Sequence, residues 1–363
     1  MLFLLLSLLV APVGATPFEQ MVREVYGAAP QLRTKLMPTR SAASDLVELR
    51  LDIEGVPRVL SPRIAVFLPA GNGPVDVFLT LNKCGNRSVR ADERITPSVQ
   101  TWRHKPHCQG VSDGDHLNNY GTDILLPAGL GLATFAEGDV APDSVRRVQG
   151  DIRQFLRPKT GNLMLWAWAL GRVARELPAV LPRVRAVYVT GHSRRGKAAL
   201  LAAALEPSIA GVFPNQSGTA GTSSMKGHFP QEPLSWMTNG AFFYPWIGEP
   251  EGLSHFFAPG FNRLSRHPKR LPYDSHVLIQ AIAPRVIVDF QGKLDFWAGP
   301  GSARKMLKKA AGAWGRPLVV MPANKLPALL QSPAQIVLPG KHGQGRSFWK
   351  VAVRALRALR LAR

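Results

Sequence analysis

Three residues stand in an order that suits attack on a carbonyl carbon: Ser193, then Asp295, then His342. A serine hydroxyl is a poor nucleophile until a base takes its proton. A carboxylate then holds that base in the right tautomer and stabilises its cation. Ser193 lies in Gly191-His192-Ser193-Arg194-Arg195-Gly196-Lys197, between the β-branched run Ala186–Thr190 and the Ala/Leu-rich run Lys197–Leu205. A strand, a tight turn and a helix in that order lift the hydroxyl clear of a sheet and aim helix N–H groups at a developing oxyanion. The usual turn is G-x-S-x-G. Here the second glycine comes one place late, and on the turn alone a serine that only caps the helix is the competing reading. His342 is in the Gly-flanked stretch Leu338–Gly343. Asp295, in Gly292–Trp297, follows the apolar run Arg285–Phe290 and is the best placed acid. Asp289 lies inside that run and reads as structural, and Glu232 is a second candidate for the acid.

Elements of a definite kind must position these groups. Leu46–Ile53, Ile64–Leu68, Val75–Leu81, Gly131–Phe135, Ala186–Thr190, Ile209–Phe213, Arg285–Phe290 and Gln335–Leu338 read as strands. Several lack polar alternation, as strands covered on both faces do. Asn162–Leu177, ending before Pro178, Lys197–Leu205, Ser302–Ala313 and the amphipathic Arg346–Arg363 read as helices. Strands alternating with helices predict an α/β protein: a three-layer α/β/α sandwich with a mainly parallel sheet. Chemistry gathers at the carboxyl ends of such strands, and Ser193, Asp295 and His342 each follow one. The order Ser, acid, His is that of α/β-hydrolases. Residues 217–275 are irregular and read as an insertion walling a cleft.

The bulk properties set bounds. The 363 residues, 45% hydrophobic, suffice for one large domain over 16–363. The formal charge of +21 suits an anionic partner such as an acidic polysaccharide, or merely solvates basic faces. No zinc-finger, RNP or zipper pattern points to nucleic acid. Leu2–Val10 is too short to span a bilayer, which takes about 20 apolar residues. With Val13 and Ala15 at small-residue positions, residues 1–15 read as a signal peptide, though no Lys or Arg precedes the apolar run. Export, secreted or periplasmic, makes a Cys84–Cys108 disulfide the expected state, with two thiols as the alternative. The nearby histidines make no recognised metal spacing with these cysteines, so neither metal nor cofactor is expected.

Val187–Leu201 (VYVTGHSRRGKAALL) resembles the elbow of glucuronoyl esterases, carbohydrate esterase family fifteen, whose G-[CH]-S-R-x-G-K-x-A pattern carries the displaced glycine. Further blocks agree in order: Leu132–Asp143 with a D-x-x-P-D loop, Leu163–Ala169, Pro214–Gly218, Leu271–Arg285 and Phe296–Pro300. The resemblance covers roughly residues 60–350. It implies hydrolysis of esters between glucuronic acid on xylan and lignin alcohols through an acyl-enzyme. It makes Ser193 the nucleophile, His342 the base and Arg194 part of the oxyanion hole, with Lys197 and Trp297 at the sugar. Glu232, in the irregular insertion, is a further candidate substrate contact. The implied partner is a polysaccharide bearing glucuronic acid, or a lignin–carbohydrate ester. One departure stands out. Fungal members carry the acid as Glu in P-Q-E-S-G, and that position is Gln216 here, so the acid is expected at Asp295. A general carboxylesterase or acetyl-xylan esterase on the same scaffold, or a catalytically dead carbohydrate-binding protein, are the alternatives.

Overall fold

The computed structural model describes residues 15–39, 45–98, 108–144, 152–156, 160–239, 252–340 and 345–361. Its centre is a ten-stranded sheet: β1 (Thr34–Pro38), β2 (Leu46–Ile53), β3 (Arg63–Phe67), β4 (Val75–Asn82), β5 (Leu130–Ala136), β6 (Val184–His192), β7 (Gly211–Asn215), β8 (Val286–Gly292), β9 (Val319–Pro322) and β10 (Ala334–Leu338). The spatial order is β1-β2-β3-β5-β4-β6-β7-β8-β10-β9. The pairings from β1 to β5 are antiparallel, and those from β5 through to β9 are parallel. The expected mainly parallel sandwich is thus what forms.

The period of two explains why the sheet needs helices on both sides. Every residue of β4 and β5 is buried. Along β4, Val77, Leu79 and Leu81 enter one core while Phe78 enters the other, and β6 does the same with Val187 and Val189 against Tyr188. The first core is roofed by α1 (Asn162–Val180), α2 (Arg194–Leu205) and α3 (Ser275–Gln280). The second is closed by the C-terminal α5 (Arg346–Leu361), which follows α4 (Pro300–Ala310). Edge-to-face aromatic pairs join this helix to the sheet: Phe78–Trp349 at 5.6 Å and Phe290–Phe348 at 4.9 Å.

Two expectations change. Helix α1 does not stop before Pro178 but runs to Val180, with Leu181 N–H closing on Leu177 O at 2.9 Å. A proline removes only its own N–H from the ladder, and in the last turn the packing of the other residues outweighs that loss. Helix α2 begins at Arg194 rather than Lys197, so the nucleophile candidate sits immediately before the helix. Cys84 and Cys108 are joined, with Cα atoms 5.5 Å apart, and no helix among the described residues is long and apolar enough to cross a membrane.

Candidate active site

Strand β6 hands the chain to α2 through a single residue. Ser193 has φ 53° and ψ −122°, a positive-φ conformation outside the regions allowed for most side chains. Such a conformation costs about 1–3 kcal/mol and persists only where its surroundings enforce it. The enforcement is visible. Ser193 N–H donates to Asn215 O on β7 at 3.0 Å, and Lys197 N–H donates to Ser193 O at 3.0 Å. The late glycine also finds its reason. A Cβ on Gly191 would lie 2.5 Å from the carbonyl carbon of Arg195, and one on Gly196 would lie 2.7 Å from Gly191 O and 3.1 Å from Ser217 Cβ. Strand and helix close on each other through 191 and 196, so the second glycine is needed at 196.

The acid candidate sits at the end of the second strand over. Asp295 follows β8, its N–H bonded to Gly292 O at 3.2 Å. Its Oδ1 accepts the Ala298 N–H at 3.1 Å, and its Oδ2 accepts Gln216 Nε2. Gln216, with φ 48°, is itself set by its N–H on Phe290 O at 2.8 Å. The two positions at which the acid was sought, 216 and 295, are therefore hydrogen-bonded partners. Glu232 is not part of this pair. Its Oε2 faces Lys197 Nζ at 3.5 Å, and Lys197 also donates to Ser217 O at 2.5 Å. Burial pushes the Lys197 ammonium below its ordinary value, with Glu232 opposing the shift. Glu232 N–H bonds Trp297 O at 3.0 Å, which ties Lys197, Glu232 and Trp297 into one wall. His342 lies outside the described residues. The chain approaches it through Gly340, whose carbonyl accepts the Leu294 N–H at 3.1 Å, beside the Asp295 loop.

Several participants were not picked out from the sequence. Arg194 Nη1 is bonded to Asp143, the last residue of the D-x-x-P-D loop, and its guanidinium stands 5.3 Å over the Phe256 ring. Arg195 pairs with the buried Glu137 at 2.7 Å and so stabilises the elbow from beneath. Trp236, in the insertion, lies between Phe229 and Trp297 with ring centroids 6.2 and 6.4 Å away, extending the aromatic surface. The D-x-x-P-D loop was the one available signal for Asp143; the rings of the insertion show no periodicity that singles them out. A cavity of about 530 Å³ opens at Ser193, with Lys83, His116, Tyr120 and Arg194 in its walls. Among the described residues no group of three or more His, Cys, Asp or Glu is arranged to hold a metal ion.

Comparison with known proteins completes the description. Residues 115–316 match the family described as "Glucuronyl esterase, fungi", more than half of the sequence. The chain belongs to the glucuronoyl esterase family. It is similar to 4-O-methyl-glucuronoyl methylesterase 1 of Phanerochaete chrysosporium, 30% identical over 198 residues, which covers 50% of this chain and 39% of that one. It is also similar to carbohydrate esterase MZ0003 of an unknown prokaryotic organism, 26% identical over 303 residues, 76% of this chain and 66% of that one. The chain spans 39% to 41% of the length of the first two curated glucuronoyl methylesterases it matches. In fold it is like the glucuronoyl esterase from Solibacter usitatus, with TM-score 0.72 and 21% identity over 94% of this chain and 91% of that structure.

Proposed function

We propose that this glucuronoyl esterase family member is an exported serine esterase that cleaves esters of glucuronic acid, the 4-O-methyl-glucuronoyl esters joining xylan to lignin alcohols. Ser193 Oγ attacks the ester carbonyl while His342 takes its proton and Asp295 stabilises the imidazolium. The charge on the carbonyl oxygen is met by Arg194 and the N-terminal N–H groups of α2. His342 then protonates the departing alcohol, and water, activated in the same way, hydrolyses the acyl-enzyme. Lys197 and Glu232 offer charged hydrogen bonds to sugar hydroxyls, and the Trp297 face suits the apolar side of the ring. No metal or cofactor is assigned a role. Export rests on residues 1–15 together with the Cys84–Cys108 bond.

The observation that carries this reading is the conformation of Ser193, a non-glycine residue at φ 53° between β6 and α2, with Arg194 next to it. A serine that merely capped the helix would bond the first-turn N–H groups through its side chain, and Ser193 makes no such bond. A general carboxylesterase is the second reading, favoured by the larger share of the chain that aligns with carbohydrate esterase MZ0003. Assaying benzyl glucuronate beside 4-nitrophenyl acetate separates the two. A kcat/KM at least tenfold higher for the glucuronate supports the first reading, and equal or inverted values support the second. Turnover of neither ester, with no labelling of Ser193 by a fluorophosphonate, leaves the binding-protein alternative.

A further inference from the structure

Residues 252–275 are the described end of the insertion, and two of them reach the nucleophile elbow. His255 Nε2 lies 2.9 Å from Asp143 Oδ1, while Asp143 Oδ2 holds Arg194. The next residue, Phe256, lies under the Arg194 guanidinium at 5.3 Å and edge-on to the His255 ring at 4.5 Å. Phe256 is anchored in turn on Trp166 of α1 at 5.7 Å, and its backbone packs so tightly on the start of that helix that a Cβ on Gly161 would lie 2.1 Å from Phe256 O.

We infer that His255 is a positioning residue for the oxyanion arginine: it fixes Asp143 so that Arg194 is held where charge develops on the substrate carbonyl. This rests on the esterase reading above and names a part of its machinery that the insertion supplies. Asp143 and His255 have side chains only 2% and 5% exposed, and Arg194 21%. His255 Nδ1 is buried without a hydrogen-bond partner. The ring meets Asp143 through Nε2, which donates to the carboxylate. The carboxylate thus carries a hydrogen bond on each oxygen, one from His255 and one from Arg194, which stops it from rotating. An arginine that pivots on one carboxylate oxygen would sweep its remaining N–H groups through more than the tolerance of an oxyanion site, where misplacement by about 1 Å costs ~100-fold.

The test uses two readouts on the full chain: steady-state hydrolysis of benzyl glucuronate, and the rate of Ser193 phosphonylation by an alkyl fluorophosphonate, which places an oxygen in the same site without needing a sugar. His255→Ala lowers kcat and the phosphonylation rate together by about tenfold with KM changed less than twofold. His255→Gln, whose amide Nε2 can donate to Asp143, recovers most of the loss. In an Arg194→Ala background, His255→Ala has little further effect, because the brace then has nothing to hold. Should the alanine variant fail to fold, the glutamine variant against wild type still reads the donor. Unchanged phosphonylation in His255→Ala, equal loss in both variants, or a full further loss without Arg194 overturns the inference. Wild type that is phosphonylated but does not cleave the glucuronate refutes the substrate reading alone, while the labelling rates still decide the role of His255.

Discussion

The hydrogen bond between Gln216 and Asp295 can be reversed in polarity, and the outcome is specific. In the native pair Gln216 Nε2 donates to Asp295 Oδ2, while Asp295 Oδ1 accepts from Ala298 N–H. Gln216→Glu alone sets two carboxylates against each other. At about 4 Å and an effective dielectric of about 20, the repulsion is ~4 kcal/mol, reduced here because Asp295 is half-buried rather than enclosed; about 2 kcal/mol is a fair expectation. The variant should melt several degrees below wild type at pH 8 and recover at pH 5, where one carboxyl takes a proton. Asp295→Asn alone should fold normally, because Asn Oδ1 still meets Ala298 N–H. It should lose ~100-fold or more in kcat with KM less affected, since the missing charge matters most when the imidazolium forms. The double variant restores both features. Asn Nδ2 now donates to the introduced glutamate, one negative charge remains, and it stands at the position where fungal relatives carry theirs. Its melting temperature should return to near wild type, and kcat to within about tenfold. A well-folded double variant no faster than Asp295→Asn would refute the pairing. A Glu232→Gln variant that alone lost kcat would move the acid to the insertion.

Other consequences can be checked alongside. Gly196→Ala should destabilise by about 1–3 kcal/mol despite a better helix former, because its Cβ meets Gly191 O at 2.7 Å; an unchanged melting temperature would mean that the elbow is looser than described. Asp289, buried among Thr222, Gln291 and Gln335, is raised by desolvation to about 6, above its unfolded value. Its ionisation therefore favours the unfolded chain, and the native state loses stability as pH rises from about 4 through 6. Relative to wild type, Asp289→Asn should gain roughly 2–3 kcal/mol between pH 4 and pH 8, read from paired denaturant melts, and a pH-independent difference would contradict this. Secreted protein should begin near Thr16 and give a Cys84–Cys108 peptide in a non-reducing map; breaking that bond should cost about 3 kcal/mol for its 24-residue separation.

The parallel half of the fold was legible because its strands are buried on both faces and so are nearly all apolar. The runs for β4, β6, β8 and β10 are off by no more than two residues at an end, and in the antiparallel half Leu46–Ile53 matches β2 end for end. Strands β1 and β9 escaped notice because they are short, half-exposed edge strands: β1 mixes polar with apolar residues, and the apolar run of β9 is only four residues long. The places of Ser193 and Asp295 just after strands were legible from chain order, and Lys197 was singled out by the resemblance alone. The contacts that tune them were not. Gln216 to Asp295 spans 79 residues and His255 to Asp143 spans 112, distances over which no local pattern operates. The shift of the second glycine to 196 became intelligible only once the Gly191–Gly196 contact was seen.

Hydrolysis of a glucuronate ester by this protein depends on Ser193 as its nucleophile. Comparing kcat for benzyl glucuronate between wild type and Ser193→Ala, with both shown to be folded by the same melting curve, tests it most directly. The expected loss is about 10⁴-fold or more, leaving only the residual rate that binding and the oxyanion site supply. A Ser193→Ala protein that hydrolyses the ester at a rate comparable to wild type would contradict it.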